Sequence, residues 1–265
     1  MSTRMVSERA SQKFFFGVSA LLFAASAMVT TVWCSSMSGM GGMSMPGGWT
    51  MSMAWMRMPG QTWSDAAMSF LGMWVVMMAA MMWPSMVPML WRYRRAVGKT
   101  ESPLGWLTTL VGVGYLWVWT AFGIAAFPLG AGLASIAMQL PVLAHAVPIA
   151  VGVVVLIAGA LQFTAWKAHH LACCRAAPDR PLPADAATAW RHGLRLGLHC
   201  ACCCASLTVI LLVIGVMDLR MMGLVATAIT LERLAPAGER VAQAIGVVVV
   251  GAGLFMTVRA MGLAG

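Results

Sequence analysis

Residues 66–91 read AAMSFLGMWVVMMAAMMWPSMVPMLW, a run without a single charged side chain. A hydrocarbon core about 30 Å thick is crossed by roughly 17 to 25 apolar residues in a helix, so this stretch predicts a membrane span. Comparable runs occur at about 14–33, 104–129, 145–166, 197–217, 220–235 and 241–260, of which 220–235 is short. They are too long and too unalternating for barrel strands, and backbone groups in lipid must be paired within their own segment, so the runs predict helices. The whole chain is 60% hydrophobic and 9% charged, against about 25% charged in soluble domains. The predicted fold class is therefore all-α, a polytopic transmembrane helical bundle of about seven spans.

The net charge of +9 on a soluble protein would point to nucleic acid; here its distribution predicts topology instead. With a cytoplasmic N-terminus, 14 of the 17 basic residues fall inside and only Arg57, Arg220 and Arg259 fall outside, as the positive-inside rule requires. The inside clusters are short and juxtamembrane, suited to anionic headgroups, so the expected surroundings are the lipid bilayer and no nucleic acid. The first span, with Ala25, Ser26 and Ala27 near its middle, also has the look of a signal peptide, and we read it as an uncleaved anchor. Three regions follow: residues 1–33 as cytoplasmic tail and anchor helix, 34–65 as a periplasmic Met/Gly-rich loop, and 66–265 as a six-helix domain with a cytoplasmic loop at 167–195. Asp185 is placed to cap a helix beginning AATAWRHGL. No Walker loop, phosphorylation-type aspartate motif or dinucleotide fingerprint occurs, which argues against an ATP-driven pump.

Sulfur is concentrated in three places. Residues 37–58, MSGMGGMSMPGGWTMSMAWMRM, hold eight methionines: Met37, Met40, Met43, Met45, Met51, Met53, Met56 and Met58. Methionine often just fills gaps. These alternate with Gly, Ser and Pro rather than Leu and Phe, a poor composition for burying apolar area and one that predicts disorder without a ligand. Thioethers stay unprotonated and form no disulfides, so they can hold Cu(I) where thiols would be oxidised. In the next span Met73, Met77 and Met81 recur every fourth residue, as do Met78, Met82 and Met86. They form two adjoining stripes, read equally as packing and as a path in which Met77, Met81, Met82 and Met86 are ligands. Pro84 and Pro88 free backbone carbonyls at its inner end.

The third place pairs HHLACC (169–174) with HCACCC (199–204), six of the seven cysteines. At about 100° per residue, Cys200, Cys203 and Cys204 share one helix face with His199 at its edge, while Cys202 points elsewhere. His170 and Cys174 stand four apart, as do His169 and Cys173. Inert filler is common for free cysteine, but six in two clusters on one side favour a metal, and His170, Cys174, Cys200, Cys203 and Cys204 are the expected tight site, with His199 beside them. Sulfur ligands select Cu(I), and tetrahedral S/N sites also suit Zn. The Cys200–Cys203 spacing admits thiol redox chemistry, although nothing else resembles a thioredoxin-like unit. His145 and His199 are too far apart in depth to ligate one haem. Asp218 with Arg220 and Glu232 with Arg233 read as structural ion pairs, Glu232 also as an outer partner of the cysteines; Tyr115, Trp117 and Trp119 read as packing or hydrogen-bonding groups.

Several of these strings together, MMWPSMVPM (81–89), GYLWVW (114–119), the run from Lys167 to Pro178, and GLHCACCCASL followed by GVMD, resemble a bacterial family of predicted metal-binding integral membrane proteins, a domain of unknown function, over roughly residues 66–260. In that family's first motif two cysteines stand four apart; here the positions hold His170 and Cys174. Its C-x-G-C-C-W motif is matched by Cys200, Cys203 and Cys204, with Cys202 in place of the glycine. The resemblance implies metal binding and an inner-membrane, multi-pass location, and names neither metal nor reaction.

The sequence thus predicts a copper-handling protein that collects Cu(I) on the external methionines and binds or passes it to the cytoplasmic Cys/His site. Two other readings stand beside it: an accessory or assembly subunit of a larger membrane metalloenzyme or redox complex, with other membrane subunits or a homo-oligomer as partners, and, less favoured, a membrane copper or thiol redox enzyme.

Overall fold

The computed structural model describes residues 2–39, 41–97, 104–176 and 182–262. Met40, Lys99, Pro178, Arg180 and Pro181 lie outside the described residues. The elements are α1 (Ser2–Gly39), a hairpin of β1 (Met43–Met45) and β2 (Trp49–Met51), a 3-10 turn at Met53–Trp55, then α2 (Trp63–Val97), α3 (Leu104–Gln139), α4 (Pro141–Leu161), α5 (Ala165–Arg175), α6 (Ala186–Ile214), α7 (Leu219–Leu234) and α8 (Gly238–Ala260). The protein is all-helical apart from the hairpin. Among the described residues, six helices are long and apolar enough to cross a membrane: Arg9–Met37 within α1, and α2, α3, α4, α6 and α8.

The expected seventh, α7, has 16 residues, about 24 Å of helix at 1.5 Å per residue, and falls short of that length. It nevertheless runs between the two ends of the bundle. Just before it, the Met217 Sδ lies 4.0 Å from the Cys34 Sγ at the hairpin end of α1; just after it, the Pro236 carbonyl accepts from the Arg175 guanidinium at 2.9 Å. The Arg175 carbonyl in turn accepts from Arg92 near the end of α2.

Two expectations for residues 167–195 change. Most of the stretch is not loop, because α5 and the first turns of α6 occupy it. Asp185 does cap α6, accepting from the Thr188 backbone N–H at 2.8 Å, and that bond holds its carboxyl below the usual carboxylate range. Lys167, counted from sequence among the basic residues of a loop, is 1% exposed.

Glycine sets the distance between α3 and α6. In membrane bundles, where lipid tails are as apolar as leucine, association rests on close packing, and small residues four apart let backbones approach. Gly193 and Gly197 are such a pair. A Cβ on Gly197 would lie 2.9 Å from the Tyr115 carbonyl oxygen, and one on Gly193 would collide with that of Val111. From the facing helix, a Cβ on Gly114 would lie 2.9 Å from the Trp190 carbonyl. Trp74 ties α2 to the pair by donating to the Trp119 carbonyl at 2.8 Å.

Candidate metal centre

The close crossing of α3 and α6 brings side chains one turn further along into contact. Cys200, Cys203 and Cys204 all face inward, and α5 adds Cys174; each of the four is at most 1% exposed. Their sulfurs form an open chain: Cys174 to Cys203 3.6 Å, Cys203 to Cys204 3.5 Å, Cys204 to Cys200 3.9 Å. The thioether of Met82 lies 4.0 Å from Cys200. Cys202, half-buried, takes no part in this chain. Sulfurs bound at about 2.3 Å to one ion with tetrahedral angles stand about 3.8 Å apart, so the observed spacings suit shared ligation. Among the described residues, no three His, Cys, Asp or Glu side chains are already set out as a metal cage; the chain of thiols would have to fold around an ion. The hydrogen bond with Cys203, and after it burial, push the Cys174 thiol up.

Around the sulfurs lies a polar layer that the sequence reading mostly missed. Arg233, 4% exposed, donates to the Cys200 Sγ at 3.1 Å, the Ser85 Oγ at 2.9 Å and the Met89 Sδ at 3.0 Å. The Tyr115 hydroxyl is 2.9 Å from the same Cys200 Sγ. Lys167 donates to the Cys203 carbonyl and to the Glu232 carboxylate, both at 2.6 Å, and Gln162 donates to the other oxygen of Glu232 at 3.1 Å. This corrects the expected pairing of Glu232 with Arg233: the carboxylate's ion pair is with Lys167. Asp218 likewise accepts from the backbone N–H groups of Arg220 and Met221 at the start of α7, with no ion pair to the Arg220 guanidinium among the described residues. Ionisable side chains inside membrane helices are expensive and usually functional; Arg233, at the end of the run 220–235 that the sequence read as a span, offered that signal.

His170 and His199 meet each other rather than the four buried thiols. The His170 Nδ1 faces the His199 Nδ1 at 3.2 Å, and Cys173 lies 3.6 Å from the His169 Nε2. The structure thus divides the expected five-residue site, with His170 against His199 rather than against sulfur. His145 sits at the other end of the bundle, beside Gly47 of the hairpin.

The helix 2 methionines Met77, Met81, Met82 and Met86 are all buried, packed in one core with Met73, Trp74, Met78 and Met89. The methionines of residues 37–58 depart from the expected disorder. Met43 pairs with Met51 and Met45 with Trp49 across the hairpin, whose turn is made possible by positive φ at Gly47 and Gly48. Met45 and Met51 are buried against Ala134, Ala137 and Ala144 of α3 and α4, and Trp49 donates to the Ala144 carbonyl at 2.9 Å. Met43 is exposed, while Met37, Met53, Met56 and Met58 are half-exposed.

Residues 71–256, more than half of the chain, match the model of a family described as PpoB2, copper chaperone. No curated protein and no solved structure matches the chain.

Proposed function

This chain belongs to the copper chaperone family, and on that premise we propose that it is a membrane-embedded chaperone whose cargo, Cu(I), is held by Cys174, Cys200, Cys203 and Cys204 with Met82 at the edge. The observation that carries the reading is the enclosure of four contacting thiols beside a guanidinium. A buried cation is normally matched by an anion, yet no carboxylate is ion-paired with Arg233 among the described residues. Cu(I) with two thiolates carries one net negative charge, which Arg233 balances at hydrogen-bond distance. Soft sulfur donors favour Cu(I), and a core closed around the helix 2 methionines suits a carrier that holds and hands on its cargo better than an open channel. The exposed and half-exposed methionines of the hairpin region then act as the first collectors.

The reading predicts copper bound to protein purified from copper-supplemented cells, with elemental analysis as the measure. Replacing Cys200, Cys203 and Cys204 together by Ser should remove it, while Cys202→Ser should leave the stoichiometry unchanged. Undiminished copper in the triple variant rejects the site, and zinc in place of copper in the wild-type protein rejects the cargo.

A further inference from the structure

On the copper-carrier reading, the two histidines that stand apart from the thiols acquire a role of their own. We propose that His170 and His199 form a second, shallower copper site, an exchange port through which the ion passes to Cys174 and Cys203. The proposal rests on how two contacts are stacked. His170 lies four residues before Cys174 on α5, and His199 four residues before Cys203 on α6. Both helices therefore present an imidazole and then, one turn on, a thiol. The structure pairs them rung by rung, His170 with His199 at 3.2 Å and Cys174 with Cys203 at 3.6 Å. Four residues of helix rise about 6 Å, a short step between rungs.

The rungs differ in the way a handover needs. Both thiols are closed to solvent, whereas both imidazoles are half-exposed. Two nitrogens bound to one ion at 2.0–2.1 Å with near-tetrahedral angles stand about 3.3 Å apart, so the facing Nδ1 atoms can accept an ion with little movement. Two fixed nitrogens leave the remaining coordination positions open to the ligands of whatever delivers or receives the copper. Sulfur then holds Cu(I) more strongly than nitrogen does, which makes the step from the outer rung to the inner one downhill. In the metal-free state the same nitrogens share one hydrogen bond; when the ion binds, the donor ring gives its Nδ1 proton to water and takes one up at Nε2, so that both imidazoles ligate in the neutral form.

The test offers Cu(I) on a coloured chelator to the purified full chain in detergent, and follows the rate and final extent of transfer to the thiols. With His170 and His199 both changed to Gln, the final stoichiometry should equal that of the wild type and the transfer should slow by about tenfold or more. His170→Cys, which returns a metal ligand to the rung without the imidazole shape, should recover the rate in the presence of His199. An unchanged rate in the double Gln variant overturns the port. So does loss of final stoichiometry, which would make the imidazoles part of the tight site, and so does failure of His170→Cys to restore a slowed rate, which would make His170 structural. Wild-type protein that takes up no copper at all instead brings down the carrier reading on which the port depends.

Discussion

Arg233 and Glu232 are neighbours in the chain and do unrelated things, because consecutive residues on a helix point about 100° apart. Glu232 turns to Lys167, and Arg233 turns to Cys200, Ser85 and Met89. A permanently charged planar fork is suited to holding several acceptors at once, which lysine's single ammonium is not. Arg233→Gln should therefore weaken Cu(I) binding by about 10- to 100-fold, the usual loss when a partner of a metal ligand is removed, as read by competition with a chelator; an unchanged affinity would make the guanidinium a packing group. The meeting of Cys200, Cys203 and Cys204 in the core was legible from sequence because helical spacing alone puts them on one face and Cys202 off it. Arg233 was not, since adjacency to Glu232 suggested an ion pair that the helix geometry does not favour. The contact of His170 with His199 was not legible for a related reason: spacing puts His170 on the face of Cys174, but only the packing of α5 on α6 shows that each residue of that face meets a different partner.

At the scale of elements, the crossing of α3 and α6 determines whether Tyr115 reaches Cys200. Gly193→Val puts side-chain atoms where the Val111 carbonyl stands, so the two backbones must separate. Overpacking of this kind typically costs about 1–3 kcal/mol, and separation should also lengthen the Tyr115 contact with Cys200. Thermal unfolding in detergent should show the loss, while Gly112→Ala on α3, with nothing within 4 Å of its added Cβ, should be neutral or slightly stabilising. Equal melting of the two variants would remove close glycine contact as the cause of the crossing. The six long apolar helices were readable because length and hydropathy carry that signal, whereas the short run at 220–235 became a helix of only 16 residues. The hairpin was not: its Gly-rich composition suggests disorder, and order comes from Met45, Met51 and Trp49 meeting α3 and α4, contacts far away in sequence.

For the molecule as a whole, the hairpin methionines and the buried thiols lie toward opposite ends, and the basic residues are divided the same way. The hairpin lies at the turn between α3 and α4, joined to it through Trp49 and Ala144. At the other end Arg94 donates to Ser11 of α1 and Thr108 of α3, and Arg92 to the Arg175 carbonyl. If the positive-inside rule applies, the arginine-bearing end is cytoplasmic and copper is collected on one face and stored toward the other. Single cysteines at Ser44 in the hairpin and at Ala187 in the first turn of α6, both exposed positions, test this in a background with Cys173 and Cys202 changed to Ser to silence the half-buried native thiols. In spheroplasts an impermeant maleimide should label Ser44→Cys and leave Ala187→Cys unreacted until the membrane is opened. Replacing the exposed and half-exposed methionines Met37, Met43, Met53, Met56 and Met58 by Leu keeps apolar area and removes the sulfur proposed to collect copper, so it should slow copper loading of such spheroplasts at limiting metal without changing the capacity of the purified thiols. Labelling of both positions from the same side would leave the hairpin methionines and the thiols with no membrane between them, and vectorial collection would have to be abandoned even if the thiols bind copper as expected.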